Sequence, residues 1–298
     1  MPPLKAIRGR PTAKDLRVFG FAHEENFMHC PEIQMALSLS NNRNALYWAI
    51  AAALGVAALV EILVPGFSAA LDLTLIFLAA VASVLALNRQ LPLQNVLSTA
   101  VITAFIGSVA HALSARMDIA MPFGPLTFGT NAGWKIFNAV PCTLPLIWII
   151  AVFNSRGVGR MILRPWRKTR NYGFILIGVT AVLTLVFDLA LEPFAAHVKH
   201  FWLWHPTRMQ LNWHGASPLN FIGWLVVTLL ILAFITPTLI KKQPGGSGGL
   251  DFHPVALWFG ALLIFAVGAG TAGLWSAVIV DMIFALIVAV FCWRGARW

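Results

Sequence analysis

The 298-residue chain is 59% hydrophobic and only 11% charged. A soluble domain carries about a quarter charged residues, so a soluble globular fold is excluded. The net charge of +10 would point to nucleic acid in a soluble protein. Here Lys and Arg lie between apolar stretches, so membrane orientation accounts for them and no nucleic-acid partner is expected.

Residues 1–44 are polar and basic, with no short apolar core ahead of a cleavage site, and are read as a cytoplasmic or interfacial segment rather than a signal peptide. Within it "LRVFGFAHEENFMHC" mixes Phe and Leu with charge, as a stretch lying on a membrane surface does. From residue 45 to 298 a single transmembrane domain is expected. Each span needs about 20 mostly apolar residues. Eight stretches qualify: 45–64, 67–87, 94–113, 136–154, 173–194, 217–240, 255–271 and 273–293. Runs of this length satisfy their backbone as helices. The fold class is therefore an all-α polytopic membrane bundle of about eight transmembrane helices.

Loop charge orients it. With the N-terminus inside, 17 of the 21 Lys and Arg fall on the cytoplasmic side and 4 on the other. Both termini are then cytoplasmic, in a multi-pass protein of the cell's inner membrane. "KKQPGGSGGLDFHP" (241–254) reads as a flexible linker. Cys30, Cys142 and Cys292 are too scattered for a disulfide framework or a metal knuckle.

Two long loops share the non-cytoplasmic side, 111–141 and 197–224. They hold His111, His197, His200, His205 and His214, with Trp134, Trp202, Trp204, Trp213 and Trp224. An interfacial belt is the ordinary role of such tryptophans. The spacing of His197, His200, His205 and His214 falls short of the paired clusters of membrane iron enzymes, so no metal is predicted.

Acids inside spans are costly and point to function. Glu61 and Asp72 lie near the ends of a hairpin, and Asp281 sits on the last helix as a structural partner. Asp188 and Glu192 differ. They are four apart, so they share one helix face, and Pro193 then marks an end or kink before the aromatic loop. A desolvated carboxyl beside a second one can hold a proton at neutral pH, which a general acid needs.

Three segments carry a likeness: "PFGPLTF" with "GWKIFNAVPCTLPLIW" (122–148), "DLALEPFA" (188–195), and Trp202-x-Trp204 followed by "GASPLNFIGW" (215–224). In order and spacing, over about residues 105–240, the chain resembles the multi-span family of carotenoid biosynthesis proteins that includes the carotenoid 1,2-hydratases of the bacterioruberin and myxol type. The family pattern has Asp where Glu192 stands, a glutamate where His111 stands, and an aromatic pair here reduced to Leu126 and Phe128. Histidine can itself move a proton near neutral pH.

The resemblance implies acid-catalysed addition of water to the terminal double bond of an acyclic carotenoid. Asp188, Glu192 and His111 would be catalytic. Phe123, Phe128, Trp202, Trp204, Trp213, Asn220 and Trp224 would bind the substrate. Aromatic faces suit the tertiary carbocation, and Asn220 or His111 can orient the water. The partners are a lipid-soluble polyene and membrane lipids. No Gly-rich phosphate loop is present and no cofactor is expected. The alternatives are a carotenoid- or isoprenoid-binding protein without catalysis, a transporter, and a purely structural acid pair.

Overall fold

The computed structural model describes residues 69–298 apart from 117, 208–210 and 240–250, together with some helical positions between 45 and 63. Contacts divide the chain into Met1–Trp48 and Ala49–Trp298. The first unit, and with it the expected interfacial segment 1–44, lies outside the described residues except at Ala45 and Trp48. Glu61 and most of the expected linker also lie outside them. Of the expected span 45–64, a shorter apolar helix, Ala51–Val60, is described in part.

The second unit is an all-α bundle. Its helices are α1 (Ala69–Asn88), α2 (Leu93–Ala115), α3 (Thr143–Ile162), α4 (Tyr172–Pro193), α5 (Pro218–Ile235), α6 (His253–Thr271) and α7 (Trp275–Ala296). Among the described residues six helices, all but α3, are long and apolar enough to cross a membrane. Their lipid-side surface is greasy: Val101, Phe105, Phe174 and Leu286 all stand exposed. The inward surface instead carries small and hydroxylated residues, among them Ser83, Thr99, Thr103, Thr180, Thr184 and Thr228. That inversion is the packing rule of a bundle whose solvent is hydrocarbon.

Local signals set the helix ends. Proline opens α5 and α6 in their first turns, where its missing N–H costs nothing. The α6–α7 hairpin turns at Gly273, whose φ of +75° favours glycine, and the Leu274 N–H closes the turn on the Ala269 carbonyl at 2.8 Å.

The fourth expected span, 136–154, is corrected. Residues Lys135–Ile136 (β2) and Val140–Pro141 (β3) form a small antiparallel hairpin, and α3 then runs on to Ile162 through Arg156 and Arg160. The reason is position. Helix α3 packs against α1, α2, α4, α6 and α7. Shielded from lipid on most sides, it does not need the uniform hydropathy that a span exposed to lipid requires. Its buried face, with Leu144, Ile147, Trp148 and Val152, is the centre of the core.

Two further strands matter for the site. Strand β1 (Leu126–Phe128) pairs antiparallel with β4 (Trp202–Trp204), matching Leu126 to Trp204 and Phe128 to Trp202. Beyond Pro193 the chain makes one wider turn, Phe194–Val198, closed by the Lys199 N–H on the Phe194 carbonyl at 3.0 Å. Phe194 packs closely against Gly268 of α6, where an added Cβ would come within 2.5 Å of its ring.

Candidate functional site

Asp188 and Glu192 lie one turn apart near the end of α4, and both are fully buried. Asn220, in the first turn of α5 and also buried, joins them. Its Nδ2 donates to Asp188 Oδ2 at 2.9 Å and to Glu192 Oε2 at 3.4 Å. The opposite oxygen of Glu192, Oε1, accepts the indole N–H of Trp202 at 2.8 Å and that of Trp204 as well. Strand geometry explains this double contact. Residues two apart point to one face, so both indoles turn inward while Leu203 between them is exposed.

The ribbon is pinned at both ends. The Gly129 N–H donates to the Phe201 carbonyl at 2.9 Å, and the His205 N–H to the Pro125 carbonyl at 3.0 Å. Glu192 therefore receives three donors. Asp188 receives one, and its buried Oδ1 has no hydrogen-bond partner among the described residues.

A second cluster lies beside the first. Trp224 is four residues beyond Asn220 on α5, so the two share a face. Trp224 stacks on Trp148 of α3 with centroids 3.9 Å apart and an 18° interplanar angle. His111 of α2 is buried against Phe123 at 4.1 Å, with Trp148 at 5.9 Å and Trp224 at 6.0 Å. Its Nδ1 lies 3.2 Å from the Trp148 indole nitrogen and 3.1 Å from the Gly107 carbonyl. In the Nε2–H tautomer Nδ1 accepts from the indole; in the other it donates to the carbonyl. His111 bonds to neither acid.

Glycine makes this packing possible. A Cβ on Gly107 would sit 2.4 Å from the Trp148 ring, and one on Gly223 would sit 2.7 Å from Phe123. The Phe123 N–H donates to Ser114 Oγ at 2.9 Å, which ties the "PFG" segment to α2.

The structure thus brings together Asp188, Glu192, Asn220, Trp202 and Trp204, and beside them His111, Phe123 and Trp224. Phe128 is half-buried opposite Trp202 in the ribbon. Trp213 bonds the helix backbone, its indole N–H donating to the Leu189 carbonyl at 3.0 Å. Trp148, Gly107, Gly223 and Ser114 were not expected at the site. The small residues inside α2 and α5 were the available signal, because close approach in membrane bundles uses them.

The other candidates go elsewhere. Asp72 pairs with Lys199 at 2.8 Å. His197 Nε2 donates to the His214 carbonyl at 2.7 Å, and His214 Nε2 meets Ser276 Oγ at 3.1 Å. Partial burial, with His197 nearby, holds the His214 imidazole below its usual range. His200 Nδ1 bonds the Ala196 carbonyl at 3.1 Å. Among the described residues no group of three or more His, Cys, Asp or Glu could hold a metal. Asp281 is buried on α7, and neither of its oxygens has a hydrogen-bond partner among the described residues.

Fold and site together define a multi-pass helical membrane protein with a buried carboxyl pair held by amide and indole donors. Residues 70–291 match the model of the carotenoid biosynthesis protein family, more than half of the chain, and the protein belongs to that family. Comparison with curated proteins and with solved structures returns no match.

Proposed function

We propose that this protein hydrates the terminal double bond of an acyclic carotenoid. The observation that carries the reading is the unequal solvation of the acid pair. Glu192, with three N–H donors, is arranged as an ionised carboxylate. Asp188 Oδ1, buried and bare, is the position for a proton.

In this mechanism Asp188 gives its proton to the less substituted alkene carbon, forming a C–H bond and a tertiary cation. Trp224, one turn beyond Asn220, and Phe123 against it offer aromatic faces to that cation. A water oriented by Asn220 or His111 attacks the cation through oxygen. Its surplus proton returns to Asp188, and the net change is one water gained. Both acids are fully buried, with the inner face of the β1–β4 ribbon over Glu192, so substrate entry requires a movement of the segments that cover them.

Family membership supports a role in carotenoid metabolism and a lipid-soluble substrate. The same reading keeps eight spans, a domain over 45–298, an interfacial segment 1–44 and both termini cytoplasmic in the inner membrane. A reporter active only in the cytoplasm, fused after Trp298, should be active.

The test of activity is expression in a host that makes lycopene, followed by pigment mass. A gain of one water is expected. A second reading, binding without catalysis, is favoured by His111 standing where the resemblance implies a glutamate. It predicts a purified protein carrying an unchanged polyene.

A further inference from the structure

Pro193 is the last residue of α4 and directly follows Glu192. Proline has no N–H, so the Leu189 carbonyl, one turn back, loses its helical donor. Leu189 lies between Asp188 and Glu192, so the orphaned carbonyl belongs to the turn that carries both acids. The Trp213 indole N–H donates to it at 3.0 Å, from a segment 24 residues further on. We propose that Trp213 is a positioning residue for the acid pair: its indole supplies the donor that Pro193 lacks and keeps the turn from Asp188 to Glu192 helical.

The role rests on the hydration reading, in which Asp188 gives the proton. The two carboxyls can share Asn220 only while they stay one helical turn apart on one face. A proline ring crowds the carbonyl it fails to bond, and helices kink or break there. Directly after Pro193 the chain does widen, over Phe194–Val198. The turn before it stays α-helical, and Trp213 is the group that satisfies its carbonyl.

The segment that presents the indole is itself fixed. The Trp213 N–H donates to the Ala216 carbonyl at 2.8 Å, and the Ala216 N–H to the Trp213 carbonyl at 3.0 Å. Gly215, at φ +91°, makes the turn between them, and its N–H donates to Asn212 Oδ1 at 3.3 Å. His214 is gripped from two sides, by His197 at its carbonyl and by Ser276 of α7 at Nε2. The chain then enters α5, whose first turn holds Asn220. One short stretch thus binds α4 twice, Trp213 at the backbone and Asn220 at both side chains. This role differs from the substrate contact that the resemblance implies for Trp213.

The test reads the indole N–H resonances of the detergent-purified full chain, carrying isotope-labelled tryptophan and no substrate. Loss of one signal in Trp202→Phe and of another in Trp204→Phe assigns the two indoles that donate to Glu192. Trp213→Phe keeps an aromatic ring and deletes the donor. Both assigned signals should then shift, while that of Trp258, whose indole donates to Ser155 Oγ at 3.2 Å between α6 and α3, should stay. Hydration should fall about tenfold. Pro193→Ala restores a backbone N–H for the Leu189 carbonyl, so adding it to Trp213→Phe should return both signals and most of the activity. The proposal is overturned if Trp213→Phe leaves the Trp202 and Trp204 signals in place, if the Trp258 signal moves with them, or if Pro193→Ala brings no recovery. Should the Pro193→Ala chains not fold, Trp213→Phe alone decides through the first two outcomes. A wild type that hydrates nothing removes the proposed reaction, while the resonances, read without substrate, still decide whether Trp213 places the pair.

Discussion

Asp188 and Glu192 on α4 and Asp281 on α7 are all carboxyls buried in apolar helices. Their surroundings differ. The α4 pair meets an amide from α5 and two indole N–H groups from β4, whereas Asp281 has no hydrogen-bond partner among the described residues. Donors from two separate segments, α5 and β4, converge on one pair, and neither segment donates to the lone acid. Burial of an acid therefore does not define a site by itself. The donors brought to it from distant parts of the chain do.

That contrast can be broken by substitution. The largest effect belongs to Asp188→Asn, which keeps the shape and removes the transferable proton. Hydration should fall by about 10²-fold or more, measured as hydrated pigment per unit of membrane-inserted protein. Wild-type turnover in this variant would remove Asp188 from the mechanism. Next is Asn220→Leu, which strips both acids of their shared donor. We expect lost activity and about 1–3 kcal/mol of stability lost, read from thermal unfolding in detergent. Trp204→Phe keeps the ring and deletes one of three donors to Glu192. A fall in activity of about tenfold is expected, with little change in protein level. Gly107→Ala drives a methyl into the Trp148 indole and should cost about 1–3 kcal/mol by overpacking. The smallest effect on hydration is expected for Asp281→Leu, which replaces an unpartnered acid by an apolar side chain and should leave pigment output unchanged. A loss there as deep as that of Asp188→Asn would erase the distinction between the two regions.

Much of the bundle was legible in the sequence. Expected spans 67–87, 94–113, 173–194, 217–240, 255–271 and 273–293 each lie within a few residues of a described helix, because hydropathy reports directly on contact with lipid. The one displaced span, α3, is the helix its neighbours enclose, where that relation fails. The shared face of Asp188 and Glu192 followed from spacing alone.

The use made of the tryptophans did not. The sequence suggested aromatic faces for a cation or for the interface, yet Trp202 and Trp204 turn their N–H edges to Glu192. That geometry depends on a three-residue strand pairing with another more than seventy positions earlier, and strands so short leave no periodic trace. Trp148, the last residue of a segment that carries the likeness, had no role assigned to it for a related reason. Only the folded bundle shows that the bare backbone of Gly107 makes room for it.

The β1–β4 ribbon also gives the acid pair a binary character. A shift of pairing by one residue reverses every side chain on a strand. Such a slip would turn Leu203 toward Glu192 and carry both indoles away together, since one strand supplies them. Oε1 of Glu192 would then keep neither indole donor, with no intermediate state retaining one. The register of this ribbon, rather than the placement of the helices, thus sets which side chains face the carboxylate.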